Sequence, residues 1–399
     1  MKRSVFYSVT LIVVFFIVVL SDYTCKAIPA FARKYQISCQ VCHAPAMPRL
    51  KGFGEEFANN GFRLKEYESP RYFIPTGDER LSLYREIPLA FRIDGFATYN
   101  FNNEDKTDFA SPFILKILSG GELSDKLSYY FYFLMNEKGS IVGVEDAFLM
   151  YNNLFNTGIN FYIGQFQVSD PLFKSELRYT LEPYKIYGAA PGNSTVTLKY
   201  ERGVILDKQF STGTSFLAEI VNGSGLGEAG ESMIFDKDKH KNLMFRLSQT
   251  LGEKLSIGAF GYTGKEVLLD TISSFTSNIT MYGPDVKLNF DDKFILGLQY
   301  VYRNDSDVFL EWNETKQKDV KTQGGFAEIT FSPKGEMSKW YFTGLFNWVE
   351  SDMKMLNYKA ITLHGGYLVR RNFRFVTEYT WQISENSHGR VNAGFVMAF

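Results

Sequence analysis

Cys39, Cys42 and His43 stand together in the pentapeptide CQVCH, and that spacing carries a specific chemistry. Two thiols separated by two residues can each add to a haem vinyl group. The imidazole beside the second thiol is then held over one face of the porphyrin as an iron ligand. C-x-x-C alone also serves zinc sites and redox dithiols. A zinc site needs two further ligands nearby, and none appears before residue 87; a thioredoxin-like dithiol needs a βαβ setting, which is absent. The spacing therefore predicts one covalent haem c, bound by Cys39 and Cys42, with His43 as proximal ligand of the haem iron.

The distal ligand is less constrained. Met47 lies four residues after His43, so the chain has to turn around the haem edge for it to reach the other face. His364 is the second candidate. On a predicted strand over 357–369, Ile361, Leu363, Tyr367 and Val369 form one face, which turns His364 to the other. A polar lining residue with no metal, or a sixth position left open, are the alternatives. His240 and His388 fall in predicted loops remote from the motif.

Two acidic clusters, Glu228, Glu231, Asp236 and Asp238 beside His240, and Asp305, Asp307, Glu311 and Glu314, carry ligand types suited to ferrous iron. Solvated loops are commonly acidic for no such reason. No nucleophilic triad stands out, and NGSGLGEAG at 222–230 lacks the strand-to-helix setting of a phosphate cradle. With 43 Lys+Arg against 44 Asp+Glu, no bulk positive field marks nucleic acid as a partner.

The elements that position these residues begin with an export signal. Lys2 and Arg3 precede an apolar run from Leu11 to Leu20, and Cys25 and Ala27 fit a cleavage site after residue 27. An uncleaved anchor is the alternative, and Asp22, Tyr23 and Thr24 do not resemble a lipobox around Cys25. Residues 28–64 hold the motif. Leu50, Phe53, Phe57 and Phe62 recur at near-helical spacing, with Gly61 as a helix stop. So short a segment can hardly bury a haem alone and has to borrow walls from the rest of the chain. Residues 65–86, with Pro70, Pro75 and Gly77, read as a connector.

From residue 87 the period becomes two. Trp340, Phe342, Phe346 and Trp348 oppose Thr343 and Asn347; Phe373, Phe375, Tyr379 and Trp381 oppose Arg374, Glu378, Thr380 and Gln382. Aromatic residues make up 16% of the chain, which suits strands with a lipid-facing side and interfacial girdles. About sixteen such segments predict an all-β fold, a transmembrane antiparallel β-barrel over 87–399 with a small helical haem segment plugging its lumen. The connections alternate. Short turns fall near 124–126, 153–157, 207–213, 252–254, 291–293, 333–338 and 370–372. Longer loops fall near 102–110, 169–193, 223–240, 265–277 and 304–319, with modest ones near 138–142, 351–356 and 383–388. Arg92, Asp94, Arg246, Glu328, Arg374 and Glu378 face the predicted lumen, where they can tune a haem potential or hold a plug. VNAGFVMAF, ending in Phe399, resembles the terminal signal of outer-membrane proteins.

AIPAFARKYQISCQVCH, followed by Pro48-Arg49-Leu50, Phe53-Gly54 and Asn60-Gly61-Phe62, resembles the haem segment of the fused outer-membrane monohaem cytochrome c–porins, whose best-known members are iron oxidases of iron-oxidising bacteria. The motif match covers about the first forty mature residues. Over the barrel the similarity is one of strand pattern only. The resemblance implies a protein of the bacterial outer membrane, with its haem in the barrel lumen or at the periplasmic mouth. It implies electron transfer from an extracellular donor, Fe(II) by analogy, to a periplasmic cytochrome, hence Fe(II):cytochrome c oxidoreductase activity. Fold does not fix function. A haem-plugged diffusion porin, a transporter or sensor, a cytochrome–porin using another donor, and a peroxidase-like enzyme are the other readings.

Overall fold

The computed structural model describes residues 30–64, 76–78, 80–81, 83, 87–101, 106–140, 143–236, 238–252, 254–269, 274–309, 317–383 and 388–399. The export signal lies outside these residues, as does most of the 65–86 connector. Among the described residues no helix is long and apolar enough to cross a membrane. The crossing elements are strands.

Sixteen strands follow one another: β1 Leu89–Asn100, β2 Thr107–Glu122, β3 Leu127–Glu137 and β4 Gly143–Leu154. Next come β5 Ile159–Gln167, β6 Tyr200–Gln209, β7 Thr214–Val221 and β8 Asn242–Leu251. β9 Leu255–Leu269, β10 Ser274–Phe290, β11 Phe294–Phe309 and β12 Gln317–Phe331 continue the wall. β13 Trp340–Ser351, β14 Tyr358–Arg370, β15 Phe373–Gln382 and β16 His388–Ala398 complete it. Every strand pairs antiparallel with its sequence neighbours, and β1 pairs with β16, so the barrel is closed and has no free edge. At the closing seam Phe91 and Phe399 exchange backbone hydrogen bonds of 2.7 and 2.9 Å, and their rings stack with centroids 5.7 Å apart.

The period-two pattern explains the two faces. In β13, Trp340 and Phe342 point outward and are exposed, while Tyr341, Thr343, Leu345, Asn347 and Val349 point inward and are buried. In β15, Tyr379 and Trp381 lie outside, and Arg374, Val376, Glu378 and Thr380 inside. One residue of register slip would exchange these faces.

The alternation of turns holds, so the barrel has a short-turn rim and a long-loop rim. Two of the expected long loops need correction. The segments 265–277 and 304–319 are mostly strand: β9 and β10 pair as far as Ser274 with Leu269, and Asp305 pairs with both Ile279 and Val320. Their polar side chains resemble loop composition, but a ladder satisfies the backbone whatever the side chains are.

A long stretch of chain enters the lumen. Between β5 and β6, residues 168–199 turn into the barrel, with two short 3₁₀ turns, Ser175–Leu177 and Lys185–Gly188, on the way. Leu172, Tyr184, Ile186, Tyr187, Val196 and Leu198 of this loop form one buried core with Met244, Tyr262, Met281, Phe326, Leu345 and other inward wall residues. Tyr184 stacks on Phe326 with centroids 3.8 Å apart. Polar pins surround that core. Arg303 donates to the carbonyls of Ala189 and Val196 at 2.8 and 2.7 Å and is paired with Asp305 at 2.6 Å. Glu176 accepts from Lys116 at 2.8 Å and from Tyr132 at 2.6 Å.

Candidate haem-attachment site at the short-turn rim

The segment 30–64 carries two helices, α1 Ala30–Tyr35 and α2 Gly52–Asn59, with a 3₁₀ turn Cys39–Val41 between them. Ser38 opens the turn, its hydroxyl accepting from the Gln40 N–H at 3.3 Å, the usual way a helical start satisfies a free donor. The His43 N–H donates to the Cys39 carbonyl at 2.9 Å. Cys39, Cys42 and His43 therefore share one turn, and both thiols are free. Gly54 lets α2 lie against it: a Cβ there would stand 2.4 Å from the Cys42 carbonyl oxygen.

The chain after His43 curls back along the imidazole. His43 Nδ1 lies 3.2 Å from the Pro48 carbonyl oxygen and 3.1 Å from that of Arg49. Two carbonyls can only accept, so Nδ1 carries the proton and Nε2 keeps its lone pair. Second-atom anchoring of this kind fixes the tautomer of metal-ligating histidines. Burial lowers the pKa of His43, the two carbonyls oppose that, and the positive charge of Arg374 adds to the lowering. The ring is thus held neutral, as a metal ligand must be. Burial also raises both thiols, Cys42 to about 11 with Cys39 adding to its shift. The donor set, the turn that gathers it and the locked tautomer fit a c-type haem.

The barrel positions this segment at the short-turn rim. Arg33 donates to the Leu89 carbonyl at 2.8 Å, and Arg63 to the carbonyl of Asp125 in the β2–β3 turn. Gln40 donates to the Glu336 carbonyl at 3.0 Å, and Lys51 pairs with the Glu336 carboxylate at 2.8 Å, both in the β12–β13 turn. The Asn59 carbonyl accepts from Asn152 at 3.1 Å and Asn160 at 3.2 Å. Phe31 stacks on Phe62, and Phe62 on Tyr130 of the wall, at 5.2 and 4.9 Å. The expected helix stop is real: Gly61 has φ +71°, and a Cβ would meet Asn152 and Ser128 at 2.5 Å.

Inside the lumen the segment meets the β5–β6 loop at Tyr179. Its hydroxyl donates to the Ala46 carbonyl at 2.9 Å, lies 3.3 Å from that of Ala44, and accepts from the Ala46 N–H at 3.4 Å. Arg49, paired with Glu328 of β12, and Arg374 of β15 both stand over the Tyr179 ring, at 5.0 and 5.5 Å from its centroid. No motif marks Tyr179. It is a lone tyrosine in an irregular stretch, and its partners lie more than a hundred residues away.

His364 faces the lumen as its alternation predicts and is 4% exposed. Both ring nitrogens have partners: Nδ1 is 3.0 Å from Glu378, and Nε2 is 3.4 Å from the Tyr341 hydroxyl. Tyr341 packs on Tyr179 at 4.2 Å, and the His364 ring lies near-parallel to that of Tyr179 at 6.4 Å, so Tyr179 links His364 to the attachment segment. Met47 sits on the loop that closes over the Nδ1 edge of His43. His240 precedes β8 and His388 opens β16, both at the long-loop rim.

The acidic clusters do not assemble. Asp305 is buried in the lumen on Arg303, not in an outer loop, because β11 extends past it. Asp236 pairs with Lys241, and Asp238 accepts from the N–H groups of His240 and Val267 at 2.7 and 2.9 Å. Glu311 and Glu314 lie outside the described residues. Among the described residues no group of three or more His, Cys, Asp and Glu is arranged to hold a metal ion.

The fold is similar to that of solved outer-membrane porins. A loop L8 deletion mutant of OmpT from Vibrio cholerae matches with TM-score 0.55 at 13% identity, covering 79% of this chain and 99% of that chain. The anion-selective porin of Comamonas acidovorans matches with TM-score 0.55 at 11% identity, covering 79% and 99%. OmpF of Salmonella typhi, in complex with daunomycin, matches with TM-score 0.55 at 11% identity, covering 78% and 97%. At such identities the likeness concerns the fold. No family model matches the chain, and no curated protein matches it in sequence.

Proposed function

We propose that this chain is an outer-membrane c-type cytochrome fused to a porin-like barrel, and that it moves electrons rather than solutes across the outer membrane. One observation carries the reading. Cys39, Cys42 and His43 share a turn in which the carbonyls of Pro48 and Arg49 fix the His43 tautomer. That turn is seated in the mouth of a barrel whose interior is packed. When bound, the haem supplies a one-electron Fe(III)/Fe(II) couple.

The chain's own residues do the rest. Cys39 and Cys42 hold the group covalently, and His43 presents Nε2 to its iron. Tyr179 and the Arg49–Glu328 pair tie the segment to the lumen wall, which keeps water from the inner side. The packed loop at 168–199 favours an electron conduit over a diffusion porin, since a core cluster leaves little path for hydrated ions. The short-turn rim faces the periplasm in this reading, which puts the motif within reach of a soluble periplasmic cytochrome. Fe(II) outside the cell is the donor we favour, on the resemblance of the haem segment.

Anaerobic stopped-flow mixing of the oxidised, haem-loaded protein with Fe(II) tests the donor. Stoichiometric appearance of the reduced α-band is expected. A haem that dithionite reduces and Fe(II) leaves ferric would discard iron while keeping the cytochrome–porin. Bilayer conductance tests the rival: the protein should conduct little, and porin-like steps would favour a diffusion channel.

A further inference from the structure

Several arginines that face the lumen or its mouth have a carboxylate of their own. Arg92 is paired with Asp94, Arg246 with Asp285 and Arg303 with Asp305, each at 2.6 Å, and Arg49 with Glu328. Among the described residues, Arg374 has neither a carboxylate nor carbonyls for its Nε and Nη1 donors. It is 3% exposed, and both donors are buried without a hydrogen-bond partner. No carboxylate of the described residues pairs with it. The acid four residues further along the same inward face of the strand, Glu378, is already taken by His364 at 3.0 Å and by the Leu181 and Glu182 N–H groups at 2.7 and 3.3 Å.

A buried guanidinium with free donors is an unstable arrangement unless an anion meets it. The rings of Tyr179 and Tyr341, 5.5 and 5.9 Å from its central carbon, offer π faces to the charge, and the Tyr341 hydroxyl interacts with the guanidinium, but Nε and Nη1 remain without an acceptor. None of the described carboxylates supplies that anion. Tyr179 shows from which direction one would come. The ring that faces Arg374 is held by its hydroxyl to Ala44 and Ala46, the residues directly after His43. Arg374 therefore lies beside the attachment turn, and the propionate carboxylates of a c-type haem held by Cys39 and Cys42 would supply an anion of the right kind.

The geometry points to Arg374 as the residue that receives a haem propionate, clamping the edge of the group that Cys39 and Cys42 attach. This assignment rests on the haem reading above. A planar guanidinium suits a carboxylate because two parallel N–H groups meet two oxygens. The clamp fixes the haem at a second place, away from its thioethers, and neutralises a negative charge close to the iron.

The test compares purified wild type with Arg374→Gln and Arg374→Lys. Heat-modifiable gel migration reports the barrel, and the pyridine haemochrome reports covalent haem. Resonance Raman propionate-bending bands and the spectroelectrochemical midpoint report the clamp. R374Q should retain its full haem content yet show shifted propionate bands. Its midpoint should be more negative, because an unneutralised carboxylate favours ferric iron. R374K, a point charge without the fork, should fall between, and it carries the test if R374Q does not fold. Propionate bands and midpoint equal to wild type in the folded variants would overturn the clamp and leave the cytochrome reading intact. A wild-type protein without covalent haem would instead remove that reading, and the clamp with it.

Discussion

Two pieces of chain enter this barrel, and they are held in different ways. The segment 30–64 is fastened to the short-turn rim by hydrogen bonds to carbonyls, by ion pairs such as Lys51–Glu336 and Glu55–Lys287, and by the stack Phe31–Phe62–Tyr130. The loop at 168–199 is built into the wall's own core, with buried polar pins at Arg303, Glu328 and Glu378. The first carries chemistry and little core; the second carries core and no recognisable motif. On the function proposed above, a site at the rim would stay accessible to redox partners while the inward loop limits the path for solutes. The division would then let fewer than forty residues serve as a cytochrome, with walls supplied from elsewhere in the chain.

The largest effects should come from the motif itself. His43→Ala, or Cys39→Ala with Cys42→Ala, should abolish covalent haem staining on a denaturing gel while heat-modifiable migration of the barrel persists. Loss of the barrel as well would mean that the two regions do not fold separately.

Next is the loop. Arg303→Met leaves Asp305 as a lone buried carboxylate and frees the Ala189 and Val196 carbonyls, and breaking a buried pair in this way costs about 3–5 kcal/mol. Urea unfolding should show that loss, and single-channel conductance should rise as the loop loosens, with haem content unchanged. A loosened loop that left conductance at the wild-type level would show that the 168–199 core does not close the lumen.

Tyr179→Phe removes the hydroxyl that joins the two regions. Each lost hydrogen bond to a buried carbonyl is worth about 1 kcal/mol, and limited proteolysis should cut the 44–50 stretch faster than in wild type. His364→Ala should leave the ferric and ferrous spectra unchanged, since both its nitrogens serve Glu378 and Tyr341. A lost axial-ligand signature would make His364 the distal ligand instead. Lys51→Ala, at a half-exposed pair, should change stability by less than about 1 kcal/mol.

Much of this was legible from residue order. CQVCH, which the function proposed above rests on, is gathered in one turn as its spacing expects, and Gly61 announces the end of α2. The two faces of β13 and β15 follow from alternation alone, because a barrel wall has a strict period of two. Three features were hidden. Ser274, Ser277 and Asn304 look like loop residues, yet they continue long hairpins, since antiparallel pairing is indifferent to side-chain polarity. Phe326, Leu345 and Met244 are inward residues whose apolar partners, Tyr184 and Ile186, come from irregular backbone far away in sequence. Asp305 was read with its acidic neighbours, whereas its true partner, Arg303, is two residues away on the same inward face.

The central claim is that a haem on Cys39 and Cys42 carries electrons through a barrel closed to solutes. The most direct test encapsulates oxidised soluble cytochrome c in liposomes bearing the haem-loaded protein and adds Fe(II) outside under anaerobic conditions. Reduction of the enclosed cytochrome is expected only with the haem-loaded protein, with no entry of a small dye added alongside. Equal reduction with the Cys39→Ala/Cys42→Ala protein, or dye entry matching it, would contradict the account.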